Sequence, residues 1–339
     1  MTVIRVTHLV DDTTAGGVMR VISHMMTTPD LTREADHSLL EVKRNRHSGG
    51  RLEADVIISH LAISWRLLPL LAALRVLNPA ARLIHVEHSY TKCFTVLNVR
   101  RKRRFGALLK LSYALFHNVV AVSAAQGQWL RDEGFVRPDA MHVIPSCVDL
   151  SAFRELAPSE GAVKTIGAIG RLEPQKGFDI LIKAFRELRD PGIALHIYGQ
   201  GSEERLLRDL AAGDPRIHFK GFSSNPVATM AGLDAVMMPS RWEAYGLVAI
   251  ETLAARRRLL VSNVDGLTDH LPHGAALVDG AGIKPWQSEL EELFAAPPRP
   301  RGLGHAHNYE RHFSDCWKSL CLSPGIASQR GSSPAGCVF

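Results

Sequence analysis

The run GAIGRLEPQKGFDILIKAF, Gly167–Phe185, changes character halfway along. Its first part completes an apolar segment that starts with VKTI at Val163 and has the composition of a buried strand. From Phe178 onward the apolar spacing becomes helical: Ile180, Leu181, Ala184, Phe185 and Leu188 share one stripe. A strand, a loop carrying Arg171 and Lys176, and a helix make one βα unit.

The same alternation recurs along the chain. VIRVTHLV, DVIISHL, RLIHVEH, NVVAVS and MHVIPS punctuate the first half, and IALHIYG, RIHFKGF, DAVMMPS and RLLVSNV follow VKTIGAIG in the second. Strands at this spacing, with helical stretches between them, predict parallel sheets. The small and chain-breaking residues of ELAPSEGAVK (155–164) mark a division between two such sheets. The expected fold is therefore α/β: two Rossmann-like domains, residues 1–157 and 158–298, facing each other across a cleft. In open sheets of this kind ligands bind beyond the carboxyl ends of the strands. A second linker, AAPPRPRGLG (295–304), precedes an amphipathic segment from Tyr309 to Leu320. Residues 299–321 are expected to form a C-terminal helix that packs back on the N-terminal domain. The Ser-, Gly- and Pro-rich residues 322–339 read as a disordered tail.

Composition narrows the function classes. A chain of 339 residues with 46% hydrophobic content can bury two cores, and 22% charge argues against bulk disorder. MTVIRVTHLV runs directly into Asp11 and Asp12, so it reads as a first strand and not as a secretory signal. Leu61 to Leu77 is strongly apolar, but Arg66, Pro69 and Arg75 interrupt it, which fits a buried helix better than a membrane span. Five scattered cysteines (93, 147, 316, 321 and 337) include no Cys-x-x-Cys pair. That pattern argues against zinc or a disulfide framework and points to a reducing cytoplasm. Residues 1–150 carry 19 basic against 13 acidic side chains, and the rest of the chain 21 of each, so the net charge of +6 sits wholly in the first half.

Two segments offer chemistry. Arg171 and Lys176 lie near a helix N-terminus, which itself favours anions, and two cations there can clamp a diphosphate. On spacing alone an ordinary solvated loop fits equally well, and no Gly-x-Gly-x-x-Gly fingerprint is present. The second segment, PSRWEAYGLVAIETLA (Pro239–Ala254), holds Glu243 and Glu251 in mostly apolar surroundings. Glu243 falls in the loop after the strand DAVMMPS. Glu251 falls in the following helix, near its positive end, where a carboxylate stays ionised and can accept two hydroxyls of a ribose. A solvent-exposed Glu243 and a Glu251 that satisfies local backbone remain the alternative.

Several short motifs occur in order: GGVMRVI (16–22), HVEHSY with His88, VAVSAAQGQWL, HVIPSCVD, the Arg171/Lys176 loop, IYGQGSEE, and the Glu-x7-Glu segment. Together, over roughly residues 3 to 280, they resemble the GT-B-fold glycosyltransferases of family four, a retaining, nucleotide-sugar-dependent class. The resemblance implies that Arg171 and Lys176 hold the donor diphosphate and stabilise the leaving group. It implies Glu251 on the ribose, Glu243 on the sugar hydroxyls, and the backbone of Ala244, Tyr245, Gly246 and Leu247 near sugar and phosphate. Gly16 and Gly17 would approach the diphosphate from the N-terminal, acceptor-side domain, and His88 would lie near the donor sugar. The implied catalytic set is Glu243, His88, Arg171 and Lys176. No cofactor or metal is expected, since fixed cations and amides supply the electrostatics. A glycosidase-like acid and nucleophile pair is disfavoured, because one glutamate is committed to ribose.

The sequence departs from the family in three places. IPSCVD lacks the usual Asn-Gly, ARRRLLVS (255–262) replaces a Gly-x-Pro-Val-Val strand start, and Asp269 stands where glutamate is common. The expected activity is transfer of a sugar from a nucleotide diphosphate to an acceptor hydroxyl, on a glycan or lipid-linked intermediate of surface polysaccharide. The alternatives are a nucleotide-sugar 2-epimerase or an inactive module that binds a sugar nucleotide or a partner, the latter suggested mainly by Arg256–Arg258. Finally, Arg100–Arg104 is an unbroken basic run ahead of a helix whose Phe105, Leu108, Leu109, Ser112 and Phe116 share a face. It reads as a core helix with a solvated end, or as a contact with an anionic membrane on the inner face of the cytoplasmic membrane. No segment resembles a nucleic-acid module.

Overall fold

The computed structural model describes residues 3–14, 16–43, 50–159, 161–297 and 308–322. The expected tail, beyond Leu322, and most of the second linker lie outside the described residues. Two compact units are present, Met1–Val148 with Asn308–Phe339, and Asp149–His307.

The first unit contains strands β1 (Ile4–Val10), β2 (Ala35–Glu41), β3 (Val56–Ser59), β4 (Arg82–Glu87), β5 (Asn118–Ala121) and β6 (Met141–Val143). The second contains β7 (Thr165–Ile169), β8 (Ala194–Tyr198), β9 (Ile217–Gly221), β10 (Ala235–Met238), β11 (Arg258–Ser262) and β12 (Ala276–Val278). Their orders are β2-β1-β3-β4-β5-β6 and β12-β11-β10-β7-β8-β9, and every pairing is parallel. Central strands such as β3, β5 and β10 are buried at every residue, as a sheet covered on both faces requires. All ten strand-like runs form strands. The other two, β2 and β12, are edge strands. β2 (ADHSLLE) exposes most of its residues, and β12 is three residues long, so neither shows a strong apolar run.

In the second unit, Leu181, Ala184, Phe185 and Leu188 are buried as the helical stripe predicts, packed with Ile166, Leu195, Met237 and Trp286. In the first unit, the helix Tyr309–Leu322 buries Phe313, Cys316, Trp317 and Leu320. Its Leu320 carbonyl accepts from Arg82 Nη1 at 2.6 Å, and Lys318 lies 3.9 Å from Asp30. Cys93, Cys147, Cys316 and Cys321 form no disulfide among the described residues.

Strand order puts a crossover reversal between β7 and β10, and another between β1 and β3. At such switch points, loops leaving neighbouring strands diverge and open a crevice at their carboxyl ends. The Arg171/Lys176 loop leaves β7, and the Glu243 loop leaves β10.

The arginines that replace the family's strand start sit at the opposite edge, where β11 begins. Arg256 has φ +55°, a left-handed conformation that glycine adopts without strain. Its Nη2 donates to the carbonyls of Leu156 at 2.6 Å and Arg154 at 3.1 Å. Arg257, 5% exposed, donates through Nη1 to the carbonyls of Ala157 at 2.7 Å and Ala255 at 3.1 Å. Arg258 Nη2 donates to the Pro297 carbonyl at 2.6 Å. The side chains thus bind the segment 154–157 to the second unit. This explains why the unit starts at Asp149, ahead of the 157/158 division suggested by linker composition. Asp234 adds to the same edge, accepting from the Ser159 hydroxyl at 2.6 Å and the Lys164 and Thr165 amides at 2.9 and 2.8 Å.

Arg257→Leu leaves buried carbonyls without a donor, at about 1–3 kcal/mol for each unmet group. We expect a clearly lowered urea midpoint for the second unit, with nucleoside diphosphate affinity of the folded fraction unchanged. Unaltered stability with lost affinity would instead assign the arginines to the site.

Candidate active site

The second unit's site starts with a steric constraint. Gly177 has φ +65°, and a Cβ on it would lie 2.0 Å from the Pro239 carbonyl oxygen. Only glycine lets the β7 loop press against the end of β10. That contact brings Lys176 Nζ onto Glu243 Oε2, although the two are 67 residues apart in sequence. Both side chains are largely buried, at 15% and 12% exposure. Ser240 Oγ lies 3.4 Å from the same carboxylate oxygen.

Side chains on both loops hold the pair in place. Gln175 Nε2 donates to the Trp242 carbonyl at 3.0 Å, and the Arg241 amide donates to the Gln175 carbonyl at 2.8 Å. Arg241 also reaches the Pro174 carbonyl at 2.6 Å and the Asp179 carboxylate at 2.8 Å. Arg171 is exposed, with Nη2 3.1 Å from Gln175 Oε1. It is therefore an open cation beside a paired one. The third loop, after β8, joins through Glu173, which accepts the Ser202 amide at 2.9 Å and its hydroxyl at 2.7 Å.

Beyond Glu243 the chain turns sharply. Ala244 and Tyr245 are buried, and Gly246, at φ +90°, opens the helix Leu247–Ala254. The first amides of a helix lack intrahelical acceptors and suit an anion. His270 braces the turn, with Nε2 donating to the Tyr245 carbonyl at 2.8 Å. Burial lowers its pKa to about 4, so the ring is neutral. Glu251 lies in that helix at 2% exposure. Asp265, at φ +39°, sits behind Glu243, whose amide lies 3.4 Å from Asp265 Oδ2. The Gly266 amide donates to the Glu243 carbonyl at 3.0 Å. Asp269 belongs to the same 3₁₀ stretch, Asp265–His273. Sequence reading passed over Gln175, Arg241 and Asp265. Asp265-Gly266 is a turn dipeptide and was the one legible signal among them.

Residues Gly16, Gly17 and His88 belong to the first unit. Gly16 is extended (φ −158°) and exposed at the start of the helix Gly17–Thr27, and a Cβ there would meet nothing closer than 3.7 Å. His88 follows β4 and lies 2.9 Å, through Nε2, from Nδ1 of His60. Burial holds His88 down at about 4. Beside it, Glu87 is buried but stays ionised. Burial alone would raise it, yet His85 and the Ser89 and Tyr90 amides hold it below the ordinary carboxylate value. The structure thus sorts the expected residues into two sets: Arg171, Lys176, Glu243 to Leu247 and Glu251 on one unit, Gly16, Gly17 and His88 on the other.

The expected apolar helix face is core. In the helix Lys102–Tyr113, Leu108, Leu109 and Ser112 are buried, as is Phe116 beyond it, with Phe105 partly so. Exposed apolar side chains lie elsewhere: Val96 and Leu97 at 58% each, Leu111 at 53% and Trp65 at 41%, the last beneath the Arg104 guanidinium at 5.4 Å. Among the described residues, no helix is long and apolar enough to cross a membrane, and no three His, Cys, Asp or Glu side chains form a metal-ligating group.

Each unit also matches a family of known proteins. Residues 3–152 match the family described as Glycosyltransferase Family 4, and residues 163–296 the family described as Glycosyl transferases group 1. The D-inositol 3-phosphate glycosyltransferase of Segniliparus rotundus is 32% identical over 193 residues, which is 50% of this chain and 42% of that protein. The chain therefore spans less than half the length of that relative. Sucrose-phosphate synthase of Thermosynechococcus elongatus superposes with a TM-score of 0.69 at 17% identity, covering 94% of this chain and 96% of that one. Anabaena HepE, solved in complex with UDP, gives 0.66 at 14% identity, covering 94% of each chain. With one family match on each unit and GT-B enzymes as its structural neighbours, the chain belongs to the family-four, group 1 glycosyltransferases of GT-B fold.

Proposed function

We propose that the chain transfers a sugar, with retention, from a nucleoside-diphosphate donor to an acceptor hydroxyl. The observation that carries this reading is the Lys176–Glu243 pair beside Arg171 at the switch point of the second unit's sheet. A lysine already matched to a carboxylate can exchange partners with little desolvation when a diphosphate arrives. Arg171, exposed and forked, takes the phosphate oxygens from the open side. As the bond from the sugar to the phosphate oxygen breaks, negative charge collects on that oxygen, and both cations are already in place to stabilise it. Glu243 then faces the sugar hydroxyls, Glu251 the ribose, and the amides of Ala244 to Leu247 the sugar and phosphate. Gly16, Gly17 and His88 are proposed as further donor-contacting residues. The UDP complex of HepE supports a sugar nucleotide as donor, and the name of the Segniliparus relative supports glycosyl transfer. Fixed cations take the role of a metal, so we propose a metal-independent reaction.

We propose a lipid-linked glycan as acceptor, in surface polysaccharide assembly at the inner face of the cytoplasmic membrane. Arg100–Arg104 are exposed, and Trp65, Val96, Leu97 and Leu111 are apolar and exposed on the same unit. Cations with apolar side chains are the chemistry that binds an anionic bilayer surface.

Calorimetric affinity for nucleoside diphosphate, read beside turnover, tests the site. Glu251→Ala should weaken nucleoside diphosphate binding by about 1.5–3 kcal/mol, as for a lost charge-assisted hydrogen bond. Glu243→Ala should leave that affinity unchanged or tighter, because Lys176 loses its competing carboxylate, while turnover falls roughly 10²-fold. Arg171→Ala and Lys176→Ala should damage both. Equal losses of affinity in the two glutamate variants would end this division of roles.

Turnover should survive EDTA. Loss with chelator and rescue by Mg²⁺ or Mn²⁺ would overturn the metal-independent reading.

Neutralising Arg101, Lys102, Arg103 and Arg104 together should reduce flotation with anionic vesicles and leave neutral-vesicle binding unchanged. Salt-insensitive flotation that ignores the four changes would remove the membrane from the proposal.

A further inference from the structure

Four histidines of the first unit are joined ring to ring. His37 Nδ1 lies 3.0 Å from His8 Nε2, His8 Nδ1 lies 3.0 Å from His60 Nε2, and His60 Nδ1 lies 2.9 Å from His88 Nε2. Sheet register explains the alignment. His8 pairs with Leu39 on β2 and with Ile58 on β3, and Ile58 pairs with Ile84 on β4. From β2 to β4 each histidine therefore stands two residues further along its strand than the last. They form a diagonal row on one face, where cross-strand neighbours come within reach. Successive rings are inclined by only 21–25°, so the nitrogens of adjacent rings meet edge to edge.

The row is buried and uncharged. His8 is 0% exposed and His60 8%, with His37 and His88 partly exposed at the two ends. Burial lowers all four: His8 to about 3, His88 to about 4, His60 well below its ordinary value, and His37 in the same direction. The charged or titratable groups facing the row are Asp36 at His37, Glu87 at His88, and His85 at both His60 and His88.

A neutral imidazole has one N–H and one lone pair. Three bonds between four such rings therefore run in a single direction, and fixing one tautomer fixes the rest. The end at His37 selects that direction. Among the described residues, His37 Nε2 is buried and has no hydrogen-bond partner. A buried orphan N–H is rarer in native structures than an under-used acceptor, so this nitrogen is the bare lone pair. His37 then donates to His8, His8 to His60, and His60 to His88. His88 Nε2 is occupied as an acceptor, and its proton sits on Nδ1.

We propose that His37, His8 and His60 are positioning residues, a one-way hydrogen-bond chain that holds His88 as its Nδ1–H tautomer and so presents a donor at the free edge of that ring. The tautomer follows from the chain itself. Its use, donation to an oxygen of the sugar, rests on the glycosyl-transfer reading above. Neutral histidine in water favours Nε2–H, so the proposed state is one that the chain must impose.

The test is long-range ¹⁵N–¹H NMR of the full chain labelled in its histidine rings, at pH 8.5, with His88 assigned through His88→Gln. Wild type should show a protonated Nδ1 and an acceptor Nε2 on His88. His60→Leu removes the donor and should return His88 to Nε2–H, with loss of turnover. His60→Gln, whose amide can both donate and accept, should retain Nδ1–H and recover turnover. His37→Glu places an acceptor at the head of the row. His8 must then donate to it through Nε2, which reverses every bond and moves the His88 proton to Nε2, three strands away. A wild-type His88 carrying Nε2–H overturns the proposal, as does an unchanged His88 in folded His37→Glu. These spectra need no substrate. Failure of the sugar role shows differently, as His88→Gln turning over at the wild-type rate.

Discussion

The contact between Gly177 and the Pro239 carbonyl is the constraint on which the second unit's site depends. β7 and β10 pair through only Ile166–Ala235 and Gly167–Val236. Beyond that short register the chain must leave both strands without a clash, and a side chain at residue 177 would occupy the space of the Pro239 oxygen. Once the two loops touch, the rest follows locally. Gln175 and Arg241 cross between them, Lys176 meets Glu243, and Gly246 turns the chain into the helix that carries Glu251. A βα loop and a strand far apart in sequence become one polar cluster because of the strand order and one missing Cβ.

A parallel sheet has two unlike ends, and this chain uses arginine differently at each. At the amino ends of the strands, Arg256, Arg257 and Arg258 spend their donors on backbone carbonyls. Arg257 is buried there, and desolvation holds its pKa below the ordinary value. Such side chains tie backbone segments together at the end of the sheet away from the Arg171 loop. At the carboxyl ends, Arg171 stays exposed, with a glutamine as its neighbour. The sequence departure that favoured an inactive module therefore falls at the opposite end of the sheet from the Arg171 and Glu243 loops. Its cost is the left-handed backbone of Arg256, of order 1 kcal/mol for a non-glycine residue, set against two hydrogen bonds to carbonyls.

Interior strands such as β3, β5 and β10 were legible because burial on both faces demands continuous apolar runs, and such runs are visible without partners. β2 was not, since an edge strand with one wet face mixes Asp, His and Ser among its leucines. Single motifs located Arg171, Lys176, Glu243 and Glu251, but not the fact that Lys176 and Glu243 touch, which depends on strand order. The brace residues were harder still. Gln175 and Arg241 act through backbone carbonyls, which carry no sequence signal. The histidine row was half visible: THLV, IISH and VEHS each place a histidine within two residues of a strand's carboxyl end. Only the two-residue stagger of the register turns those separate residues into a chain.

The two units handle charge in opposite ways. The second concentrates fixed charge at its crevice, where Lys176 is neutralised by Glu243 until something more anionic competes for it. The first keeps its row of histidines neutral, since a proton added to His8 or His60 would be a buried cation with only other imidazoles for company. A neutral row gives direction instead of charge: a donor at one end, set by an unmet lone pair at the other. Glu87 shows how narrow that neutrality is. Its carboxylate draws His88 upward in pKa, while burial draws it down further. The carboxylate's own oxygens are taken by the Ser89 and Tyr90 amides and the Tyr113 hydroxyl, at 2.7 to 2.9 Å. Held this way, Glu87 biases the field around His88 without accepting its proton, and the ring remains a hydrogen-bonding group and not an ion.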